Sequence, residues 1–115
     1  MSDVIVSLST AMICFMSSCY PALIGKDTPT GEFQLKQYST TRPGYGGDIL
    51  VFKEDDNYVY AIHRVLNIPK QRRKQRLKSN DISQRIDVTL GCINVDPVVY
   101  DSIVQCCSKS KVIIK

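Results

Sequence analysis

The chain has no tryptophan, a single histidine and no C-x-x-C pair. Zinc centres draw on paired cysteines or several histidines, so these absences argue against a metal site. No apolar run approaches the roughly 18 residues of a membrane span. Repeats and low-complexity linkers are also missing, so nothing divides the 115 residues into modules. One domain over residues 1–115 is expected, long enough to build a core without disulfide support.

Negative charge is missing from one stretch. KQRRKQRLK, Lys70 to Lys78, carries six of the fifteen Lys and Arg residues and no acid. The remaining nine cations face eleven acids, so the net charge of +4 describes a mildly acidic body with one basic segment. A segment of good helix formers with almost no apolar face reads as a solvated helix or a surface excursion.

The opening MSDVIVSLSTAMICFMSSCYPA has the apolar middle and small-residue end of an export signal. It lacks the basic start, however, and Ser7, Ser9 and Thr10 interrupt it. Alternation fits better, with Val4, Val6 and Leu8 on one face of a strand and Ile5, Ser7 and Ser9 on the other. If the protein is exported, the signal has been removed from this chain or another route delivers it. Five cysteines are present. Four of them can pair in an oxidising compartment and leave one thiol free, or all can stay reduced. The pairing of Cys14, Cys19, Cys106 and Cys107 is open. Cys106 and Cys107 are adjacent, so each is expected to need a distant partner.

The first half reads as strands and turns. MSSC (Met16 to Cys19) is a hairpin turn and YPALIG a returning strand. DTPTG (Asp27 to Gly31) is a turn cluster, and EFQLKQY alternates with period two. Thr41 to Asp48 is a long glycine-rich loop that carries Arg42 and Tyr45, a candidate lid or cleft wall with Tyr45 placed to pack on substrate. ILVFKE and YVYAIHRV follow as strands joined at Asp55-Asp56-Asn57. After the basic segment, RIDVTLGCINV returns to β periodicity. DPVVYDSIVQCC is a short helix capped by Asp96 with Pro97 in its first turn, and KVIIK closes as a strand. The expected fold is mainly β, a small, mixed, mostly antiparallel barrel or sandwich with one or two short helices.

Two residues stand out chemically. His63 ends an apolar strand, and Cys92 follows Gly91 at a bend. Taken singly, each is ordinary core material. Together they make a nucleophile and the only imidazole able to deprotonate it. An activated Cys92 is expected to alkylate below the pH of an ordinary cysteine. A glycine at 91 lets the surrounding amides face a developing oxyanion. Thr89 and Asn94 flank the bend, suited either to brace it or to bind substrate.

TLGCINV, preceded by AIHRV and further upstream by KDTPTGEFQL, resembles the L,D-transpeptidase catalytic-domain family of bacterial cell-wall enzymes. The three pieces run in the family's order from Thr28 to Val95. The resemblance implies that Cys92 is the nucleophile, His63 its base, and the amides around Gly91 and Cys92 the oxyanion hole. It also implies that the carbonyl of Arg64 orients the imidazole. Thr89 and Asn94 occupy the family's Ser/Thr and Asn/Arg positions. The implied substrates are peptidoglycan stem peptides, cleaved through a thioester at the third stem residue, commonly diaminopimelate. The acceptor then sets transpeptidase, carboxypeptidase or endopeptidase action. No cofactor and no metal are implied, and the implied location is the periplasm or cell envelope. A secreted antibacterial effector is one concrete version.

Two departures accompany the resemblance. Leu90 stands where the family often has a second histidine, and the interval between His63 and Gly91-Cys92 is lengthened by the basic segment. Arg72, Arg73 and Arg76 are candidate receptors for stem-peptide carboxylates. Nucleic acid is the weaker partner for this segment, since no aromatics interleave its cations. The alternative function is a catalytically inactive binding module of the same fold, using residues 70–78 to hold anionic glycopeptide or nucleic acid. Oligomeric state is not legible.

Overall fold

The computed structural model describes residues 3–41 and 47–115. Arg42 and Tyr45 lie outside the described residues, as does most of the loop expected to wall the cleft. Strands β1 (Val4–Ser7), β2 (Met12–Phe15), β3 (Ser18–Pro21), β4 (Gly31–Gln34) and β5 (Lys36–Tyr38) come first. They are followed by β6 (Ile49–Glu54), β7 (Val59–Arg64), helix α1 (Arg73–Leu77), β8 (Ile93–Val95), helix α2 (Pro97–Cys107) and β9 (Lys111–Ile114). A 3₁₀ turn, Ile82–Gln84, separates α1 from β8. The strands form two sheets, ordered β3-β2-β1-β9-β4 and β5-β6-β7-β8. Pairing is antiparallel except for β1 with β9 and β7 with β8. The sandwich is therefore realised, and neither sheet closes into a barrel.

Local chemistry explains much of this. β6 is apolar on both faces because both are covered. Leu50 and Phe52 enter the main core, while Ile49 and Val51 join Ala61 in a smaller cluster. In the turn before β7, the Asp55 amide bonds the Tyr58 carbonyl, and the Asp55 carboxylate accepts from the Asn57 amide at 2.9 Å. Asp96 accepts from the Val98 amide at 2.8 Å and starts α2 with Pro97 in its first turn. Tyr100, Ile103 and Cys107 then face the core at helical spacing.

Three expectations are corrected. The opening residues form two strands that pair antiparallel, with Ile5 opposite Cys14. EFQLKQY does not stay one strand. At buried Leu35, whose amide bonds the Ser110 carbonyl, the chain leaves the five-stranded sheet and enters the other as β5. Period two survives such a crossing because both strands keep extended backbone. Of RIDVTLGCINV, only Ile93–Val95 is strand; Thr89 and Asn94 make isolated bridges to Gly25 and Leu23.

The cysteines pair in two ways. Met16 and Ser17 both have positive φ, the geometry of a tight two-residue hairpin. That turn sets Cys14 directly opposite Cys19, and the two are bonded. Cys106 and Cys107 are bonded to each other, contrary to the expectation of distant partners. Their Cα atoms lie 3.7 Å apart, closer than most disulfides allow, because adjacency imposes it. Cys92 is the free cysteine.

Candidate active site

The long interval between His63 and Cys92 has a topological cause. β7 and β8 are parallel, so the chain must cross back to the starting end before β8 can pair. Residues 65–92 make that crossover and contain the basic segment. The register sets Ile62 beside Ile93 and His63 beside Asn94. Cys92, one residue before β8, therefore sits level with Ala61. Cys92 and His63 line the same cleft.

The bend before Cys92 is braced from two sides. Thr89 Oγ1 accepts from the Gly91 amide at 3.1 Å and donates to the Cys92 carbonyl at 2.6 Å. Thr28, from the early turn, accepts from the Gly25 amide and donates to the Gly91 carbonyl, both at 3.0 Å. Gly91 has φ +134°, and a Cβ there would stand 2.6 Å from the Tyr60 ring. Only glycine fits without strain. The T-P-x-G segment and the Gly-Cys bend are thus physically joined. The Gly91 amide, expected in an oxyanion hole, is committed to Thr89.

His63 is 3% exposed and Asn94 fully buried. His63 Nδ1 lies 3.0 Å from the Arg64 carbonyl, and Nε2 lies 3.1 Å from Asn94 Nδ2. Burial, together with the nearby Arg73 charge, holds the imidazole down to about 4 despite the Arg64 carbonyl. It is neutral at pH 7. The Cys92 thiol is pushed up by burial, against the Ala61 amide, the Tyr58 hydroxyl and Arg73, which favour its thiolate. The sequence expectation was an activated, easily ionised thiol. The resting pair is instead neutral on both sides, which suits proton transfer during attack rather than a preformed ion pair.

The cleft encloses about 510 Å³. Its walls include the Asp55–Val59 turn, Leu66, Ile68, Gln71, Arg73, Thr89 and Leu90. Leu90, directly before Gly91, is 75% exposed and offers only apolar surface. Arg73 donates from Nη1 to Asn94 Oδ1 at 2.8 Å, and its Nε is buried with no partner among the described residues. Arg72 and Arg76 turn elsewhere: Arg72 bonds Gln75, Arg76 bonds the Gln84 carbonyl, and both line a neighbouring depression. The Arg64 side chain leaves the cleft to bridge Asp48 and Asp101 and to stack on Tyr100 at 4.2 Å.

Sequence reasoning passed over Thr28, Tyr58 and Tyr60. Thr28 belongs to a quoted motif, so its position was legible and its role was not. Tyr58, just before β7, and Tyr60 within it are two positions apart, with ring centroids 4.6 Å apart. That spacing looked like ordinary strand packing. Among the described residues, no cluster of His, Cys, Asp and Glu is set to hold a metal, and no helix is long and apolar enough to cross a membrane.

No known family's sequence profile matches the chain, and no curated protein matches it. Solved structures do. An L,D-transpeptidase of Xylanimonas cellulosilytica aligns with TM-score 0.63 at 15% identity, over 99% of this chain and 60% of that one. L,D-transpeptidase 3 of Mycobacterium tuberculosis aligns with TM-score 0.68 at 11% identity, again over 99% and 60%. The same enzyme in complex with a faropenem-derived adduct gives 0.67, at the same identity and coverage. The chain thus spans about three fifths of the length of these solved chains. At such identities the likeness is one of fold, and the fold is that of the L,D-transpeptidase catalytic domain.

Proposed function

We propose that the protein is a cysteine acyl-transfer enzyme of the L,D-transpeptidase type, acting on peptidoglycan stem peptides in the cell envelope. The observation that carries this reading is one cleft lined by the free Cys92 thiol and a neutral His63, within this fold. In the proposed reaction, Asn94 Nδ2 withdraws from His63 Nε2, which then takes the thiol proton as sulfur attacks the carbonyl of the third stem residue. The C–N bond to the terminal D-amino acid breaks, the imidazolium returns its proton to the leaving amine, and a thioester remains. An amine acceptor then forms a cross-link, whereas water gives a carboxypeptidase or endopeptidase. The oxyanion is assigned to the Cys92 amide and the Tyr58 hydroxyl, since the Gly91 amide is already engaged. Of the three arginines, Arg73 is the proposed carboxylate receptor.

The test is intact mass after incubation with faropenem, with Cys92→Ala and His63→Ala alongside. An adduct lost in Cys92→Ala and weakened in His63→Ala is expected. The inactive binding module is favoured by one observation, the burial that pushes the Cys92 thiol up. A folded protein that forms no adduct and leaves muropeptides unchanged decides for that module.

A further inference from the structure

Arg73 reaches the candidate dyad from the crossover, and its chemistry fixes more than its own position. A guanidinium can only donate. Because Nη1 donates to Asn94 Oδ1 at 2.8 Å, the Asn94 carboxamide turns its Nδ2 toward His63 Nε2, 3.1 Å away. Nε2 must then accept. The ring proton sits on Nδ1, where the Arg64 carbonyl receives it at 3.0 Å. Arg73, Asn94, His63 and Arg64 form one line of donors and acceptors with a single direction.

That direction matters once His63 carries a second proton. Nε2 then becomes a donor and needs an acceptor. Asn94 supplies one only by turning its carboxamide over, which would set Nδ2 against Arg73 Nη1, donor against donor. Arg73 therefore opposes the imidazolium by geometry as well as by charge. Among the described residues, the other titratable groups sharing the cleft with the ring are Arg73, Cys92 ahead of β8, and Asp55, Asp56 and Tyr58 in and beside the β6–β7 turn. Among these groups, Arg73 is the charge that acts on the imidazole.

We infer that Arg73 is a positioning residue that holds the Cys92–His63 pair in its neutral resting form through Asn94, and that a carboxylate-bearing ligand engaging Arg73 releases it. The inference rests on reading Cys92 and His63 as a dyad. Arg73 lines the cleft, and its buried Nε has no partner among the described residues, so the guanidinium has donor capacity unused there. A carboxylate takes such donors in pairs and offsets the charge. Asn94 is then free to turn and to accept from the imidazolium.

A single histidine makes the test direct, because every imidazole resonance belongs to His63. Ring nitrogen and proton shifts are followed against pH by NMR in wild type, Arg73→Gln and Arg73→Lys, without substrate. The wild-type ring is expected to titrate near 4 and to carry its neutral-form proton on Nδ1. Arg73→Gln should titrate about one pH unit higher or more, and Arg73→Lys should stay near wild type. Saturating succinate, against sodium chloride of equal ionic strength, should move wild type toward Arg73→Gln and leave that variant unmoved. The inference fails if Arg73→Gln keeps the wild-type midpoint, or if succinate moves both proteins equally. Should Arg73→Gln not fold, wild type alone decides: a succinate shift no larger than that of sodium chloride overturns the latch. An imidazole that responds as expected in a protein forming no faropenem adduct keeps the latch and sinks the enzyme reading. An adduct with an unresponsive imidazole does the reverse.

Discussion

Asn94 lies beside His63 in the parallel register of β7 and β8, with its Nδ2 3.1 Å from His63 Nε2 and both side chains buried. A buried imidazole with a donor at one nitrogen and a carbonyl at the other is held neutral. The unfolded chain has no such restraint, and its histidine takes up a proton near 6.5.

Stability should therefore depend on pH through His63. The folded-state value, about 4, lies below the unfolded one. The unfolded chain binds the extra proton first, so this contribution is full above 6.5 and falls away as pH drops toward 4. The loss amounts to about 3 kcal/mol over that window. Urea midpoints measured from pH 7 to pH 4 should fall steeply for wild type, and His63→Gln should flatten that slope. Parallel curves would show that His63 is not held neutral.

Thr89 should matter to the bend more than its size implies. Replacing it with valine keeps the shape but leaves the Gly91 amide and the Cys92 carbonyl without their shared hydroxyl. Orphaning buried backbone groups costs about 1–3 kcal/mol. Thr89→Val should lower the unfolding free energy read from urea melts by that amount and slow alkylation of Cys92 by iodoacetamide. Thr89→Ser, which keeps the hydroxyl, should restore most of both.

Gly91→Ala should be worse tolerated than Gly47→Ala. Both positions have φ between +120° and +140°, but only at Gly91 would the new methyl meet a ring, Tyr60, at 2.6 Å. Backbone strain of this kind costs about 1–3 kcal/mol, and the ring clash adds to it. Thermal melts of the two variants, run together, should separate by several degrees. Equal melts would mean that Tyr60 yields freely.

Asp48 anchors the far end of β7. It accepts from Gln37 at 2.8 Å and Tyr100 at 2.9 Å, and Arg64 closes on it at 3.1 Å. Partial burial raises its carboxyl, but these donors outweigh burial and hold it below the usual value of 3.8. A depressed acid stabilises the fold above its unfolded value and loses that contribution as pH falls through the folded one. Asp48→Asn should cost roughly 1–2 kcal/mol at pH 6, a gap that narrows below pH 3.8. A gap independent of pH would assign the effect to packing on Tyr100.

The parts of this molecule that depend on near neighbours in the chain were readable in order. Asp96 and Pro97 start α2, the Asp55–Asn57 turn is local hydrogen bonding, and β6 is apolar because both its faces are covered. The candidate nucleophile and base were legible for the same kind of reason. Each needs a residue type of which the chain has few, one histidine and a cysteine after glycine.

What only the tertiary structure decided is which distant groups meet. Period two did not reveal that the strand pattern at 32–38 passes between sheets at Leu35. Six cations in a row did not reveal that Arg73 reaches Asn94 while Arg72 and Arg76 turn away. Nor did the glycine before Cys92 disclose that its amide serves Thr89 and its carbonyl Thr28. Composition and spacing fix what a residue can donate, accept or bury. Partners separated by 21 to 63 positions are set by how two sheets and a crossover pack, and no local pattern encodes that.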